Sequence, residues 1–526
     1  MNGAEALLKT LVDAGIEICF ANPGTSEMHL VAAIGRSNEV RPILCLFEGV
    51  VTGAADGYAR MADKPAITLL HLGPGLANGM ANLHNAKKAH VPMVNIVGDH
   101  APYHLPHNAP LTSDVTAHAK INSAWVKTST SADNLAKLGA TAVQKASVGT
   151  GRVATLIAAA NHAWEPAEKS YRALKPKKLP NVSAEVVSTI ADLLRNGKKT
   201  AIVLGGHALR EDALVLAGRI AEKTGCPLFG ETFPTRHQRG VGRVSITRIP
   251  YFAEVALNVL EEYEQFILVG AATPVAFFAY PDTPSVLVPP NANVTTLASI
   301  DEAVLPALSA LADALGAGAG LEVRQDSVLP DAPTGPLTAG TIGDTIASLL
   351  PDNAIISDEG ITCAAEVFAR TAGAARHDWL AITGGAIGQG LPVSFGAAIA
   401  CPDRKVVALQ ADGSAMYTVQ SLWSMARENA DVVIVLLNND SYAILNIELA
   451  RLKAGNPSDK TLSMLDIGHP SLDWQSIAAG MSVSASRAET AEEFHAQFEA
   501  AMKTKGPHLI EAVIKQDMAA IFSIEN

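Results

Sequence analysis

Two hydrophobic patterns alternate along this chain. Short unbroken apolar runs suit strands buried on both faces of a parallel sheet. Between them, apolar positions return every three or four residues, as on amphipathic helices. Leu7, Leu8, Leu11 and Val12 mark a helix over Ala4–Ala14, which Gly15 ends. A strand at Ile16–Phe20 runs into the turn Asn22-Pro23-Gly24-Thr25-Ser26-Glu27. A helix at Met28–Ile34, a strand at Pro42–Phe47 and a small-residue helix at Gly49–Arg60 follow, with Glu48 at the strand's end. Ala66–Leu70 and Val91–Val97 read as strands around a helix at Gly79–Ala89, and the first leads to His71-Leu72-Gly73-Pro74-Gly75. This alternation predicts a doubly wound α/β unit.

The pattern loosens twice. Glu165–Pro180 is rich in lysine and proline, and Gly316–Thr338 in glycine, alanine and proline, so both read as linkers. Between them lie a helix at Ala184–Leu194 and strands at Thr200–Leu204 and Ile267–Gly270. The last region opens with a helix at Ile342–Leu350 and a strand at Ala354–Ser357. The expected architecture is α/β, with three doubly wound parallel-sheet domains over 1–165, 181–315 and 338–526.

The stretch Val406–Ser441 carries the densest signal. Val406–Gln410 is an apolar strand ending in Ala411-Asp412-Gly413-Ser414, and Thr418–Asn429 has helical spacing. Val432–Leu437 is too apolar for a half-exposed strand and reads as a central parallel one, closed by Asn438-Asn439-Asp440-Ser441. Two adjacent strand ends would then present Asp412 and Asn439 side by side, where open parallel sheets place ligands. A carboxylate, an amide carbonyl and a nearby backbone carbonyl suit Mg²⁺, which keeps much of its shell for water or phosphate. Taken singly, each dipeptide is only a turn.

Composition narrows the classes. The chain has 526 residues, 48% of them hydrophobic, enough for three domains with large cores. A net charge of −12 argues against nucleic-acid or anionic-membrane partners. Cys19, Cys45, Cys226, Cys363 and Cys401 lack metal-type spacing and fit reduced thiols, hence a cytoplasmic location. The N-terminus lacks a signal-peptide pattern, and no apolar run is long enough to span a bilayer.

Asp412-Gly413 and, separated from Gly413 by 24 residues, Asn438-Asn439 resemble the two-part signature of thiamin diphosphate enzymes, G-D-G and N-N, with Ala411 replacing the first glycine. The chain is similar to the acetolactate synthase, benzoylformate decarboxylase and pyruvate oxidase group, closest in look to benzoylformate decarboxylase. Asn22-Pro23-Gly24-Thr25, Leu70-His71 and Phe233-Pro234-Thr235-Arg236-His237 carry that likeness. The resemblance implies a pyrimidine-binding, a middle and a diphosphate-binding domain, in that order. It implies Asp412, Asn439 and the Ser441 carbonyl as Mg²⁺ ligands, with Glu48 and His71 as the catalytic pair. Glu48 would share a proton with the aminopyrimidine, and an apolar strand end suits it by disfavouring the charged form. A helix-start glutamate favourable to the dipole is the plainer alternative. His71 would move protons at the substrate; it could equally cap its strand through a backbone bond.

Further cofactor contacts are implied at Asn22, Pro23, Gly24, Thr25 and Thr362. The glycine-dense run Gly384–Gly390 would add Gly385 and Ile387, the latter bending the cofactor. Gly413, Ser414, Tyr442, Ala443 and Ile444 would complete its wall. The implied partners are a small 2-oxo acid and further copies of the chain, as homodimer or homotetramer, with sites between subunits. Two positions depart from benzoylformate decarboxylase: Ala279 stands where it has a second histidine and Glu448 where it has a substrate-flanking phenylalanine. The rival within the group is an acetolactate synthase-like carboligase, whose loop Gly73-Pro74-Gly75 and Asn78 fit. FAD is not expected, because Ile246-Thr247-Arg248-Ile249 stands where synthases carry a G-M-H-G-type segment. His100, His104 and His107 share a proline-broken loop unsuited to a metal. A catalytically silent cofactor-binding homologue is the alternative from another class.

Overall fold

A computed structural model describes residues 1–320, 324–452, 455 and 457–514. The expected third domain, 338–526, therefore ends in residues outside the described ones. Three sheets form, each almost wholly parallel.

The first sheet contains β1 (Ile18–Asn22), β2 (Arg41–Leu44), β3 (Ala66–Leu70), β4 (Met93–Asp99), β5 (Trp125–Thr128) and β6 (Val153–Ala159). Their order, β2-β1-β3-β4-β6-β5, reverses direction at β1 and β3. That switch point is where such sheets open a crevice for ligands. β2 is shorter than its apolar run: it stops at Leu44, and Glu48 opens the helix α1 (Glu48–Ala62). After β3 the chain forms α2 (Leu72–Asn78) and α3 (Met80–Lys88). Gly73-Pro74-Gly75, matched above to a loop, lies in α2, with Pro74 in its first turn, where the missing N–H costs no helical bond.

The second sheet has β7 (Thr200–Leu204), β8 (Leu228–Gly230), β10 (Thr247–Arg248), β11 (Gln265–Val269) and β12 (Asn293–Ala298), in the order β10-β8-β7-β11-β12. The intervening β9 (His237–Arg239) leaves this sheet. It pairs antiparallel with β14 (His377–Ala381) at the edge of the third sheet. That sheet also holds β13 (Ala354–Glu359), β15 (Val406–Ala411), β16 (Val432–Asn438), β17 (Ser484–Ala488) and β18 (His508–Val513). Its order is β17-β18-β16-β15-β13-β14-β9, so β15 and β16 are central neighbours. Its helices include α4 (Gly390–Ala400), α5 (Asp412–Ala415), α6 (Ser421–Glu428) and α7 (Ala443–Arg451).

The first and third sheets meet through α1 and α4. Glycines bring the two backbones together: a Cβ on Gly57 would lie 2.1 Å from the Val393 carbonyl oxygen, and one on Gly396 1.9 Å from that of Ala54. Every residue of α1 from Glu48 to Met61 is buried. Arg60 ties all three units. Its guanidinium pairs with Asp56 at 2.7 and 2.9 Å and donates to the carbonyls of Thr235 (3.1 Å) and Ala381 (2.8 Å). Arg236 and Arg404 both pair with the buried Asp378. All five cysteines are free thiols, and among the described residues no helix is long and apolar enough to cross a membrane.

Candidate active site

Two clusters of polar groups stand at strand ends, one on the first sheet and one on the third. On the first, β1 and β3 pair so that Asn22 lies opposite Leu70, which sets the turn at Pro23–Thr25 beside His71. His71 makes no capping bond. Its Nδ1 lies 2.8 Å from Glu27 Oε2 and 3.2 Å from Ser26 Oγ. A carboxylate only accepts, so Nδ1 carries the proton that it donates to Glu27, and Nε2 is left to the crevice. Glu27 is fully buried. It also accepts from the Gly24 amide (2.8 Å) and the Ser26 hydroxyl (2.5 Å). A side chain on Gly98 would collide with it, its Cβ falling 1.6 Å from Glu27 Oε1. The sequence marks Glu27 only as part of a turn. The missed signal is a carboxylate three residues past Gly24, at a strand end facing a histidine.

Glu48 is 8% exposed at the N-terminus of α1. It is thus a helix-start residue and also a buried one. Asn78 Nδ2 donates to its Oε2 at 3.0 Å. Gly75 separates it from His71: a Cβ there would lie 3.2 Å from Glu48 Oε1 and 3.4 Å from His71 Cβ. The rings of His100, His104 and His107 pack in tilted pairs, with centroids 5.1 and 6.0 Å apart. Among the described residues no cluster of three or more His, Cys, Asp or Glu side chains could hold a metal.

On the third sheet, β15 and β16 end together. Asp412 Oδ2 accepts from the amides of Asn439 (3.0 Å) and Asp440 (2.8 Å), and Oδ1 from that of Gly413 (2.7 Å). The carboxylate is 3% exposed and has no basic partner among the described residues. Burial raises its pKa, against the three amide bonds that lower it. Asn439 Oδ1 accepts from the Ser441 amide at 3.1 Å. Asn438 turns away, donating to Glu511 at 2.9 Å. Tyr442 covers Gly413, whose Cβ would lie 2.4 Å from the ring. Ser414 is buried beside Asp412, and Ala443 and Ile444 begin α7. Thr362 is exposed just after β13. A 410 Å³ cavity lies against Asn438–Ser441, Asn446 and Leu465.

The glycine-dense run is clamped from both sides. Glu359, fully buried, accepts from the amides of Gly388 (2.7 Å), Gln389 (3.2 Å) and Gly390 (2.8 Å) and from Gln410 Nε2 (2.9 Å). Its pKa is raised by burial, which these bonds oppose. From α3, Asn85 exchanges two bonds with Ala386 (2.8 and 3.0 Å), and His84 lies 3.0 Å from the Gly384 carbonyl oxygen. Gly385 and Gly388 take φ of +73° and +97°, which leaves Ile387 half-buried at the tip between them. Sequence reasoning had no handle on Glu359, because its partners are backbone amides about thirty residues away.

The second sheet has its own crevice, an 830 Å³ cavity against β7, β11 and β12, lined also by Ala59 and Arg60 of α1 and by Thr383 and Gly384. Glu231 enters it. Its Oε1 accepts from the Gly206 amide at 3.0 Å, and burial pushes its carboxyl up to about 7. The carboxyl fills the space over Gly205, where a Cβ would lie 1.6 Å from Oε1.

Comparison with known proteins agrees with this geometry. Residues 1–118 match the N-terminal binding domain of thiamine pyrophosphate enzymes, and residues 360–512 their C-terminal binding domain. A Mycobacterium tuberculosis protein, provisionally named acetolactate synthase large subunit IlvX, is 48% identical over 98% of this chain and 99% of its own length. Benzoylformate decarboxylase of Pseudomonas aeruginosa is 28% identical over 94% of this chain and 96% of its own. Among solved structures, 4-hydroxybenzoylformate decarboxylase of Rhodococcus jostii RHA1 superimposes with a TM-score of 0.86, covering 98% of this chain and all of that one, at 23% identity. The two strand-end clusters thus fall within the two matched binding domains, and this chain belongs to the thiamine pyrophosphate enzymes, in the acetolactate synthase and benzoylformate decarboxylase group.

Proposed function

We propose that the protein is a Mg²⁺- and thiamin diphosphate-dependent lyase acting on a small or polar 2-oxo acid, releasing CO₂ and an aldehyde. The observation that carries this reading is Asp412: a buried carboxylate with no basic partner among the described residues, beside Asn439, between two parallel strand ends. Such a charge is costly unless a cation joins it. The Asp412 carboxylate, the Asn439 side-chain carbonyl and the Ser441 backbone carbonyl form an all-oxygen set of the kind Mg²⁺ takes. The positive φ of Gly385 and Gly388 sets the turn that carries Ile387, the residue that would bend the cofactor. Bound thiamin diphosphate supplies a carbon nucleophile and an electron sink beside a carbonyl.

The chain's own groups do the rest. Glu48 shares a proton with the aminopyrimidine nitrogen, held by Asn78 on one side. His71, its tautomer fixed by Glu27, takes or gives a proton at the substrate through Nε2. FAD has no part in this reading, since Ile246-Thr247-Arg248-Ile249 stands where synthases carry a G-M-H-G-type segment. Acetolactate-type carboligation is the second reading, favoured by the 48% identical relative's name. A cytoplasmic location accords with the free thiols.

A panel of 2-oxo acids, with and without an aldehyde acceptor, tests this reading. We expect CO₂ release that needs both Mg²⁺ and thiamin diphosphate, and slow turnover of benzoylformate, since Ala279 supplies no second imidazole. In His71→Ala, turnover should fall roughly 10²–10⁴-fold with cofactor affinity unchanged. Undiminished turnover in that variant, or rapid use of benzoylformate, would sink the assignment.

The active unit is at least a dimer. Glu48 and Asp412 stand at the ends of different sheets, and in this family the pyrimidine domain of one subunit faces the diphosphate domain of another. Light scattering at assay concentration should give twice or four times the chain mass of 54.8 kDa. A fully active monomer would contradict this.

A further inference from the structure

Ile387 stands at the tip of a turn that its own residues do little to hold. Gly385 and Gly388 flank it with φ of +73° and +97°, and glycine has the most backbone freedom to lose. The tip is held from outside the turn. On one side, Asn85 of α3 bonds both polar groups of the Ala386 backbone. The Gly388 carbonyl accepts from Asn82 Nδ2 at 3.2 Å and from Thr418 Oγ1 at 3.0 Å. On the other side, one carboxylate takes every amide from Gly388 to Gly390. It belongs to Glu359, the last residue of β13, which the reaction above leaves unused.

The arrangement needs a carboxylate. Gly388 and Gln389 donate to Oε1, and Gly390 and Gln410 Nε2 to Oε2, so two oxygens serve four donors. A glutamine here would turn an NH₂ toward two of those donors. Glu359 is 1% exposed. A charge buried that deeply is costly unless it is hydrogen-bonded, and these four bonds compensate it. Gly390 makes the space: a Cβ there would fall 2.7 Å from Glu359 Cβ and 3.0 Å from Oε2. Gly390 opens α4, whose dipole also favours the charge. An ordinary helix cap takes the amide of the second or third helical residue. Here the bonds fall on the first residue and the two before it, and the shortest, 2.7 Å, goes to Gly388, the neighbour of Ile387.

We propose that Glu359 is a positioning residue for the cofactor: by gathering these amides it sets the height and direction of Ile387, and through Ile387 the bend of thiamin diphosphate. The proposal rests on the thiamin diphosphate reading above and adds to it a residue that acts only through Ile387. A misplacement of about 1 Å from a change far from the chemistry can cost about 10²-fold in rate. Loosening Glu359 therefore slows loss of the thiazolium proton. It leaves the Asp412 end of the site, and with it cofactor affinity, intact.

The test has three readouts: hydrogen–deuterium exchange at the thiazolium carbon, calorimetric affinity for thiamin diphosphate with Mg²⁺, and amide exchange of residues 388–390 in the protein without ligand. Glu359→Gln should slow the thiazolium exchange about 10²-fold and bind cofactor nearly as wild type does. Protection of the 388–390 amides should fall. Ile387→Ala should slow the same thiazolium exchange, and adding Glu359→Gln to it should change little more, because both act through one side chain. A merely structural carboxylate would give losses that add. Glu359→Asp keeps the charge but is one methylene short, and it carries the same comparison should the amide variant not fold. Wild-type thiazolium exchange or unchanged amide protection in the folded variant, or additive losses in the double variant, would overturn the inference and leave the cofactor reading intact. No cofactor binding by wild type would defeat that reading and this inference together.

Discussion

Asp412→Ala will bind thiamin diphosphate roughly a hundredfold or more weakly than wild type, even in excess Mg²⁺. Groups that merely support a metal ligand are worth about 10–100-fold in metal affinity, and Asp412 is placed to be the ligand itself. It is the one acidic side chain at the joint end of β15 and β16 that gathers both strands' amides, from Gly413 on one side and from Asn439 and Asp440 on the other. Removing it leaves those amides unpaired as well, so the change also threatens the turn. Asp412→Asn disturbs the turn less: it keeps the shape and one acceptor oxygen and removes the charge, though its NH2 must face the amides of one strand. Whatever their melting temperatures without ligand, both variants should lose the added stabilisation that Mg²⁺ with cofactor gives. Calorimetry showing unchanged cofactor affinity in Asp412→Ala would remove the Mg²⁺ site from β15.

Glu48→Gln will bind cofactor normally and react about 10²–10⁴-fold more slowly, the range for a lost general acid–base group. The amide can still pair with Asn78, so the geometry at Oε2 survives. What it lacks is a proton to share. The expected signature is slow hydrogen–deuterium exchange at the thiazolium carbon, measured directly and without substrate. Wild-type exchange rates in the variant would take Glu48 out of the mechanism. His71→Ala should leave the same exchange untouched, because Gly75 stands between the two side chains.

Much of this was legible because a few segments are extreme. Val432–Leu437 is apolar at every position, which leaves a central parallel strand as its place, and Thr200–Leu204 forms a strand over the same residues as its pattern. Once β15 and β16 are neighbours, Asp412 and Asn439 must meet. Other features leave little trace in the sequence. Glu27 and Glu359 matter through backbone amides brought to them by folding, and a lone carboxylate has no spacing to betray it. Gly73-Pro74-Gly75 matched a loop and is helical, because its residues break helices in the interior but not in a first turn. β9 is three polar residues long, below what periodicity can register.

That short strand has a consequence for anyone dissecting the chain. β9 belongs by sequence to the middle unit but covers the outer edge of β14. Its Arg239 lies over the Phe368 ring at 3.7 Å and donates to the Phe368 carbonyl at 2.7 Å. Excising the third unit alone would bare a row of unpaired β14 amides and carbonyls, along with the apolar surface of Phe368 and Trp379. An exposed edge of that kind recruits other chains. The isolated fragment should therefore aggregate unless residues 237–239 travel with it, and the middle unit acts as a built-in guard against edge-to-edge association.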